Sequence, residues 1–345
     1  MKNIIISSTE ADAGKTTVGM AIAMCSDKKF NYFKPFGDRP IYKKKRLIDY
    51  DAKLFKNVLK LDMDYEKFCI GFDHSKIKYA YDEKTIEDKL TERIEELSQG
   101  KDGVIIETGE DWRFGSSVSL DPASLYKILD AEIVLVAAGS RTNIVDDLTA
   151  AARYFDALDI PIKGVVLNKV ESEEDIKNFA LKDIESMGLD VLGIIPEITD
   201  FKLTRVSFIN DMLFGKVVAG EVGLENIVEN IFVGALSVDE MVRNPHFHEK
   251  RKLIVTGGDR SDVVLASLEE GTAGIVLTND IIPPNNIISK ADGVGIPLIS
   301  VPLDTFEAAQ RIERMDRITT IEDDFKIDKI KEIITKKLDV DLLKV

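Results

Sequence analysis

The first residues able to do chemistry are Gly14, Lys15, Thr16 and Thr17, which close the run Ser8-Thr9-Glu10-Ala11-Asp12-Ala13-Gly14-Lys15-Thr16-Thr17. The apolar run Ile4-Ile5-Ile6 precedes it and a helical pattern follows, so the segment reads as strand, loop and helix start. Backbone N–H groups at a helix start lack intrahelical partners and attract a phosphate, and a glycine lets the backbone come close. On this reading Thr9, Glu10, Ala13, Gly14, Lys15, Thr16 and Thr17 bind the phosphates of ATP. Lys15 neutralises charge on the β and γ groups, and the Thr16 hydroxyl ligates Mg2+. The first glycine usual in such loops is missing, because Ser8 or Thr9 stands in its place.

Further polar residues end the later apolar runs. Phe33-Lys34-Pro35 closes the second, Asp51 opens Asp51-Ala52-Lys53-Leu54-Phe55, Glu107 ends Val104-Ile105-Ile106, and Asn168 ends Val165-Val166-Leu167. The loop and Phe33-Lys34-Pro35 together resemble dethiobiotin synthetase and its relatives, among them the N-terminal part of long phosphotransacetylases and the cobyrinate amidating synthetases. The resemblance implies a catalytic role for Lys34 beside Lys15, a place near Mg2+ for Asp51 and Glu107 with Thr16, and an adenine contact for the Asn168 amide. From the residues alone, Asp51 reads equally as a helix N-cap with Asp49 as its rival, and Glu107 also reads as a strand-end carboxylate. The loop Gly139-Ser140-Arg141-Thr142 lies at the same sheet edge, as a ligand contact or a plain turn. After Glu107 the chain departs from dethiobiotin synthetase: Thr108-Gly109-Glu110-Asp111-Trp112 replaces a glycine-rich turn. Its extra carboxylates disfavour the biotin-pathway substrate. Trp112 reads as a packing residue or a ligand contact.

The elements that must position these residues form an α/β chain. Apolar runs at Ile4-Ile6, Tyr32-Phe33, Val104-Ile106, Ile133-Val136, Val165-Leu167 and Val191-Ile195 suit strands buried on both faces of a parallel sheet. Ile86, Leu90, Ile94 and Leu97 recur at helical spacing and predict a helix over Glu83 to Ser98, stopped by Gly100. The predicted fold class is a P-loop NTPase-type parallel sheet over 1–203, a smaller open parallel α/β domain over 204–320, and a C-terminal amphipathic helix over 321–345. In the second domain the expected strands are Leu253-Val255, Ile275-Leu277 and Leu298-Ser300, with helices from about Ser261, after Pro283-Pro284 and from Asp304. Phe201 to Glu221 reads as a connection, and the apolar stretch Leu224 to Val233 as an association surface or a buried interdomain helix. Val255-Thr256-Gly257-Gly258-Asp259-Arg260-Ser261 resembles the start of a DRTGG domain. The usual Thr-Gly-Gly at the end of the next strand is replaced by Thr278-Asn279-Asp280, residues that still suit a left-handed turn.

A net charge of −15 over 345 residues disfavours nucleic acid as a partner, despite the basic run Lys43-Lys44-Lys45-Arg46. No apolar stretch reaches membrane-span length, and Cys25 and Cys69 have no metal-binding spacing, so a soluble cytoplasmic protein is expected. The two resemblances, in that order, match the front of a long phosphotransacetylase. They imply a Mg-ATP-binding regulatory or sensor protein, expected as a homodimer. The alternative is an ATP-dependent synthetase of the dethiobiotin type acting on a small-molecule acid. ATPase or ligase activity is left open, and phosphotransacetylase activity is expected to lie outside this part.

Overall fold

Each apolar run between Ile4 and Ile195 forms a strand in the computed structural model, which describes residues 3–43, 46–198, 203–269 and 271–314, together with 327, 330–332 and 336–338. The chain divides into two units, Met1–Ile198 with Ile321–Val345, and Thr199–Thr320.

In the first unit the order is β1 (Asn3–Ser8), α1 (Lys15–Cys25), β2 (Phe30–Phe33), β3 (Pro40–Lys43), β4 (Arg46–Asp49), α2 (Tyr50–Val58), α3 (His74–Ala80), α4 (Glu83–Ser98) and β5 (Gly103–Glu107). It continues with α5 (Pro122–Ile128), β6 (Ala131–Gly139), α6 (Arg141–Asp156), β7 (Ile162–Val170), α7 (Glu173–Asp175), α8 (Leu181–Ser186) and β8 (Val191–Pro196). Six strands pair in parallel in the order β2-β5-β1-β6-β7-β8, and β3 and β4 form a separate antiparallel hairpin. β1, β2 and β5 are buried along their whole length, which is why they show no polar alternation. The predicted helix over Glu83 to Ser98 is α4; Asp82 caps it by accepting from the Thr85 N–H at 2.8 Å, and Ile86, Leu90, Ile94 and Leu97 enter the core. The expected C-terminal helix lies mostly outside the described residues. Ile330 and Leu338 are buried, and Leu338 bridges to Gly193.

The second unit runs β9 (Thr204–Arg205), α9 (Val206–Met212), β10 (Lys216–Ala219), β11 (Ile227–Val228), β12 (Asn230–Val233), α10 (Val238–Arg243), β13 (Lys252–Gly257) and α11 (Ser261–Ser267). β14 (Thr272–Thr278), α12 (Asn285–Val294), β15 (Leu298–Ser300) and α13 (Thr305–Arg314) follow. Its five-stranded sheet has the order β10-β15-β14-β13-β12, parallel except for β10, which pairs antiparallel at the edge. The stretch Leu224 to Val233 is not a helix: Ile227 and Val228 pair with β9, and Ile231 and Val233 with β13. Its β-branched residues suit a pleated surface, and the partner strand decides. Phe201 to Glu221, expected as a connection, contains α9 and β10. Among the described residues no helix is long and apolar enough to cross a membrane.

The DRTGG-like turn is tight. A Cβ built on Gly258 would stand 1.7 Å from the Ile281 carbonyl oxygen. Gly258→Ala is therefore expected to destabilise the protein by about 1–3 kcal/mol, as overpacking does; urea unfolding measures it, and an unchanged midpoint would refute the tight approach.

Candidate nucleotide site

The strand order reverses at β1, whose neighbours are β5 and β6, and ligands of open α/β sheets bind at the carboxyl ends of such strands. The loop from Ser8 to Gly14 leaves β1 there. Its Thr9 N–H donates to the Val136 carbonyl at 3.0 Å. Gly14 caps α1 in the left-handed region at φ 95°, and a Cβ on it would meet Asn168 Nδ2 at 2.2 Å. Two side chains from the end of β7 hold the loop's carbonyls: Asn168 Nδ2 donates to Ala13 O at 2.8 Å, and Lys169 Nζ to Asp12 O at 2.5 Å.

The two lysines have different surroundings. Lys15 is 6% exposed, and its Nζ donates to Ser8 Oγ at 3.0 Å and to the Glu110 carbonyl at 2.7 Å. Burial pushes this ammonium below the usual lysine range, against the opposing pull of Asp38 and Glu107. Among the described residues it forms no ion pair. Lys34 is 1% exposed and ringed by carboxylates, Asp51 at 2.5 Å, Asp49 and Glu107 each at 3.7 Å, and Asp38 in direct ion-pair contact. Burial pushes its ammonium down, but these four carboxylates outweigh that and hold Lys34 well above the usual range.

The rivalry between Asp49 and Asp51 is resolved by hydrogen bonds. Asp49 Oδ1 caps α2, accepting from the N–H groups of Asp51 at 2.9 Å and Ala52 at 3.2 Å, while the Asp51 carboxylate faces Lys34. Glu107 is buried at the end of β5 and accepts from the Thr16 hydroxyl at 2.9 Å and the Tyr32 hydroxyl at 2.9 Å. Burial raises its carboxyl above the ordinary range, Lys34 opposing. Thr16, Lys34, Asp51 and Glu107 thus converge at the loop. The oxygens of Thr16, Glu107 and Asp51 are hard donors of the type Mg2+ takes, and Asp38, Asp49 and Asp51 bring carboxylate oxygens within 4.8 Å of one another. These oxygen types suit a divalent ion, and in this structure the Lys34 ammonium pairs with the carboxylates of Asp38, Asp49, Asp51 and Glu107.

Other expected site residues take clear positions. Thr9 and Ala13 are buried in the loop, Glu10 is exposed on it, and Thr17 is half-buried in the first turn of α1. Asn168 spends an amide hydrogen on the loop itself. Ser140 caps α6, and Trp112 packs against Tyr154 with ring centroids 4.7 Å apart. Sequence reasoning missed Tyr32, Asp38, Arg39 and Lys169. Tyr32 and Lys169 adjoin strand-end positions already singled out, and only the fold brings the Tyr32 hydroxyl to Glu107 and the Lys169 ammonium to the loop.

A family model described as AAA domain matches residues 2–204, and one described as DRTGG domain matches residues 209–315. The chain belongs to the AAA domain family. The AAA domain followed by a DRTGG domain matches the N-terminal architecture of long phosphotransacetylases. A phosphate acetyltransferase of Pseudomonas aeruginosa is 28% identical over 74% of this chain and 40% of its own length, and one of Synechocystis sp. is 26% identical over 94% and 49%. The chain therefore spans about half the length of the curated relatives it matches. Among solved structures, the CBS and DRTGG domains of the regulatory region of Clostridium perfringens pyrophosphatase, complexed with the activator diadenosine tetraphosphate, align at a TM-score of 0.30. That alignment has 15% identity and covers 54% of this chain and 72% of that one.

These relatives correct one expectation. The sequence leaves ATPase or ligase activity open and places phosphotransacetylase activity outside this part, yet proteins named phosphate acetyltransferase recur at 22–28% identity over most of the chain. The exclusion assigned an activity to a segment from motifs alone, and the similarity to enzymes of that name extends well beyond those motifs.

Proposed function

We propose that the AAA domain binds Mg-ATP through the loop Ser8 to Thr17 and, with the DRTGG domain, makes a phosphate acetyltransferase function responsive to nucleotide. The observation that carries this reading is Lys15, a buried ammonium at a helix start whose hydrogen-bond partners are neutral oxygens. Removing an ammonium from water costs several kcal/mol unless an anion compensates, and a phosphate at the start of α1 supplies that anion. Thr16, Asp51 and Glu107 would hold Mg2+, which neutralises phosphate charge when bound. Lys34 keeps the carboxylates of this set together, and Asn168 keeps the loop open to the phosphates by restraining Ala13.

Calorimetric titration with ATP is expected to give saturable uptake that disappears when Mg2+ is chelated. No magnesium-dependent uptake of ATP or GTP would overturn the nucleotide half of the reading. Acetyl transfer to phosphate, assayed in the same sample, is expected to change rate with ATP; an absent or ATP-indifferent rate would overturn the other half. Light scattering of that sample checks the homodimer.

A further inference from the structure

Lys34 and Arg39 flank one turn after β2, and they differ in what they reach. Lys34 is enclosed by four carboxylates. Arg39 is 19% exposed, and its guanidinium spans the mouth of the loop: Nη2 lies 2.5 Å from Asp12 Oδ1 and Nη1 lies 3.4 Å from Asp51 Oδ1. Its backbone N–H donates to Asp49 Oδ2 at 3.2 Å, which fixes the base of the side chain. Asp12 sits on the phosphate loop in the left-handed region at φ 61°, with its side chain 46% exposed.

We propose that Arg39 is the ligand of the terminal phosphate, exchanging the Asp12 carboxylate for the γ group when a triphosphate binds, and so distinguishing triphosphate from diphosphate. This rests on the nucleotide reading of the loop. An exposed carboxylate is a weak partner, screened by water and salt, whereas a phosphate offers three charged oxygens to the planar guanidinium fork. Asp51 holds the other edge of the guanidinium, so the exchange needs a rotation of the fork and no withdrawal from the carboxylate cluster. Lys34 is badly placed for this task. Drawing its ammonium toward a phosphate would leave Asp38, Asp49, Asp51 and Glu107 buried without their shared cation.

The test is the affinity for ATP and for ADP, both with Mg2+, in the wild type, Arg39→Gln, Arg39→Lys and Asp12→Asn, with thermal melts of each. The wild type is expected to prefer ATP. Arg39→Gln should weaken ATP about tenfold or more while ADP stays within about twofold, the loss of one charge-assisted contact. Arg39→Lys should lose part of the preference, and Asp12→Asn, which removes the competing carboxylate, should tighten ATP. If Arg39→Gln does not fold, the last two variants decide. Equal losses for ATP and ADP, or an unchanged ATP affinity in every variant, would overturn the proposal alone. A wild type that takes up neither nucleotide would overturn the loop reading with it.

Discussion

Lys15→Ala is expected to abolish nucleotide uptake and leave the stability of the protein nearly unchanged. The Lys15 side chain lies under the start of α1, where it donates to Ser8 Oγ and the Glu110 carbonyl and, among the described residues, balances no carboxylate within ion-pair distance. On the proposed reading, deleting it removes the main cationic contact of a phosphate, an affinity loss of at least about 100-fold, or ~3 kcal/mol. The folded protein loses two hydrogen bonds but is also relieved of a desolvated ammonium, so stability should move by no more than about 1 kcal/mol. Calorimetry and a thermal melt on one sample separate the two effects. Retained uptake would refute the phosphate role, and a collapsed melting temperature would make Lys15 a structural residue.

Lys34→Met should do the reverse, with its main effect on the fold. The substitution keeps most of the side-chain volume and leaves four buried carboxylates without their common ammonium, at a cost of about 3–5 kcal/mol. Burial already raises Asp49 to about 7 with Lys34 present, whereas Asp51, which burial also pushes up, is held down to about 2 by Lys34 and Arg39. Without Lys34 the Asp49 carboxyl moves further upward and the Asp51 carboxyl is released from its depression. A carboxyl raised in the folded state holds a proton that the unfolded chain has lost, so its contribution is fully present below the unfolded pKa and is lost as pH rises through the folded one. The deficit of Lys34→Met should therefore be largest near pH 8 and shrink toward pH 5. Urea denaturation of variant and wild type at both pH values measures it; a deficit indifferent to pH would show that the cluster's charge is not what Lys34 balances.

What the sequence made legible follows from how local each signal is. α4 was readable to the residue because four apolar positions at helical spacing and Gly100 all lie within one segment, and the structure adds Asp82 as its cap. Gly14, Lys15 and Thr16 were readable because strand, loop and helix start are contiguous. The turn Thr278-Asn279-Asp280 kept its shape without glycine, since Asn279 and Asp280 both take positive φ. β10 and β12 were not readable: each is set by a partner strand, β15 for the first and β13 for the second. Arg39 escaped notice for a related reason. Nothing in its neighbourhood of the chain announces that Asp12 and Asp51 will stand on either side of it.

The clasp that Asn168 and Lys169 place on Ala13 and Asp12 ties the ten-residue cradle at the start of the chain to a strand made much later. During synthesis, the turn from Ser8 to Thr17 can make these two contacts only after β7 has been made and has paired with β6. If the loop takes up nucleotide as proposed, the strength of uptake by a nascent chain would report whether β7 has joined the sheet.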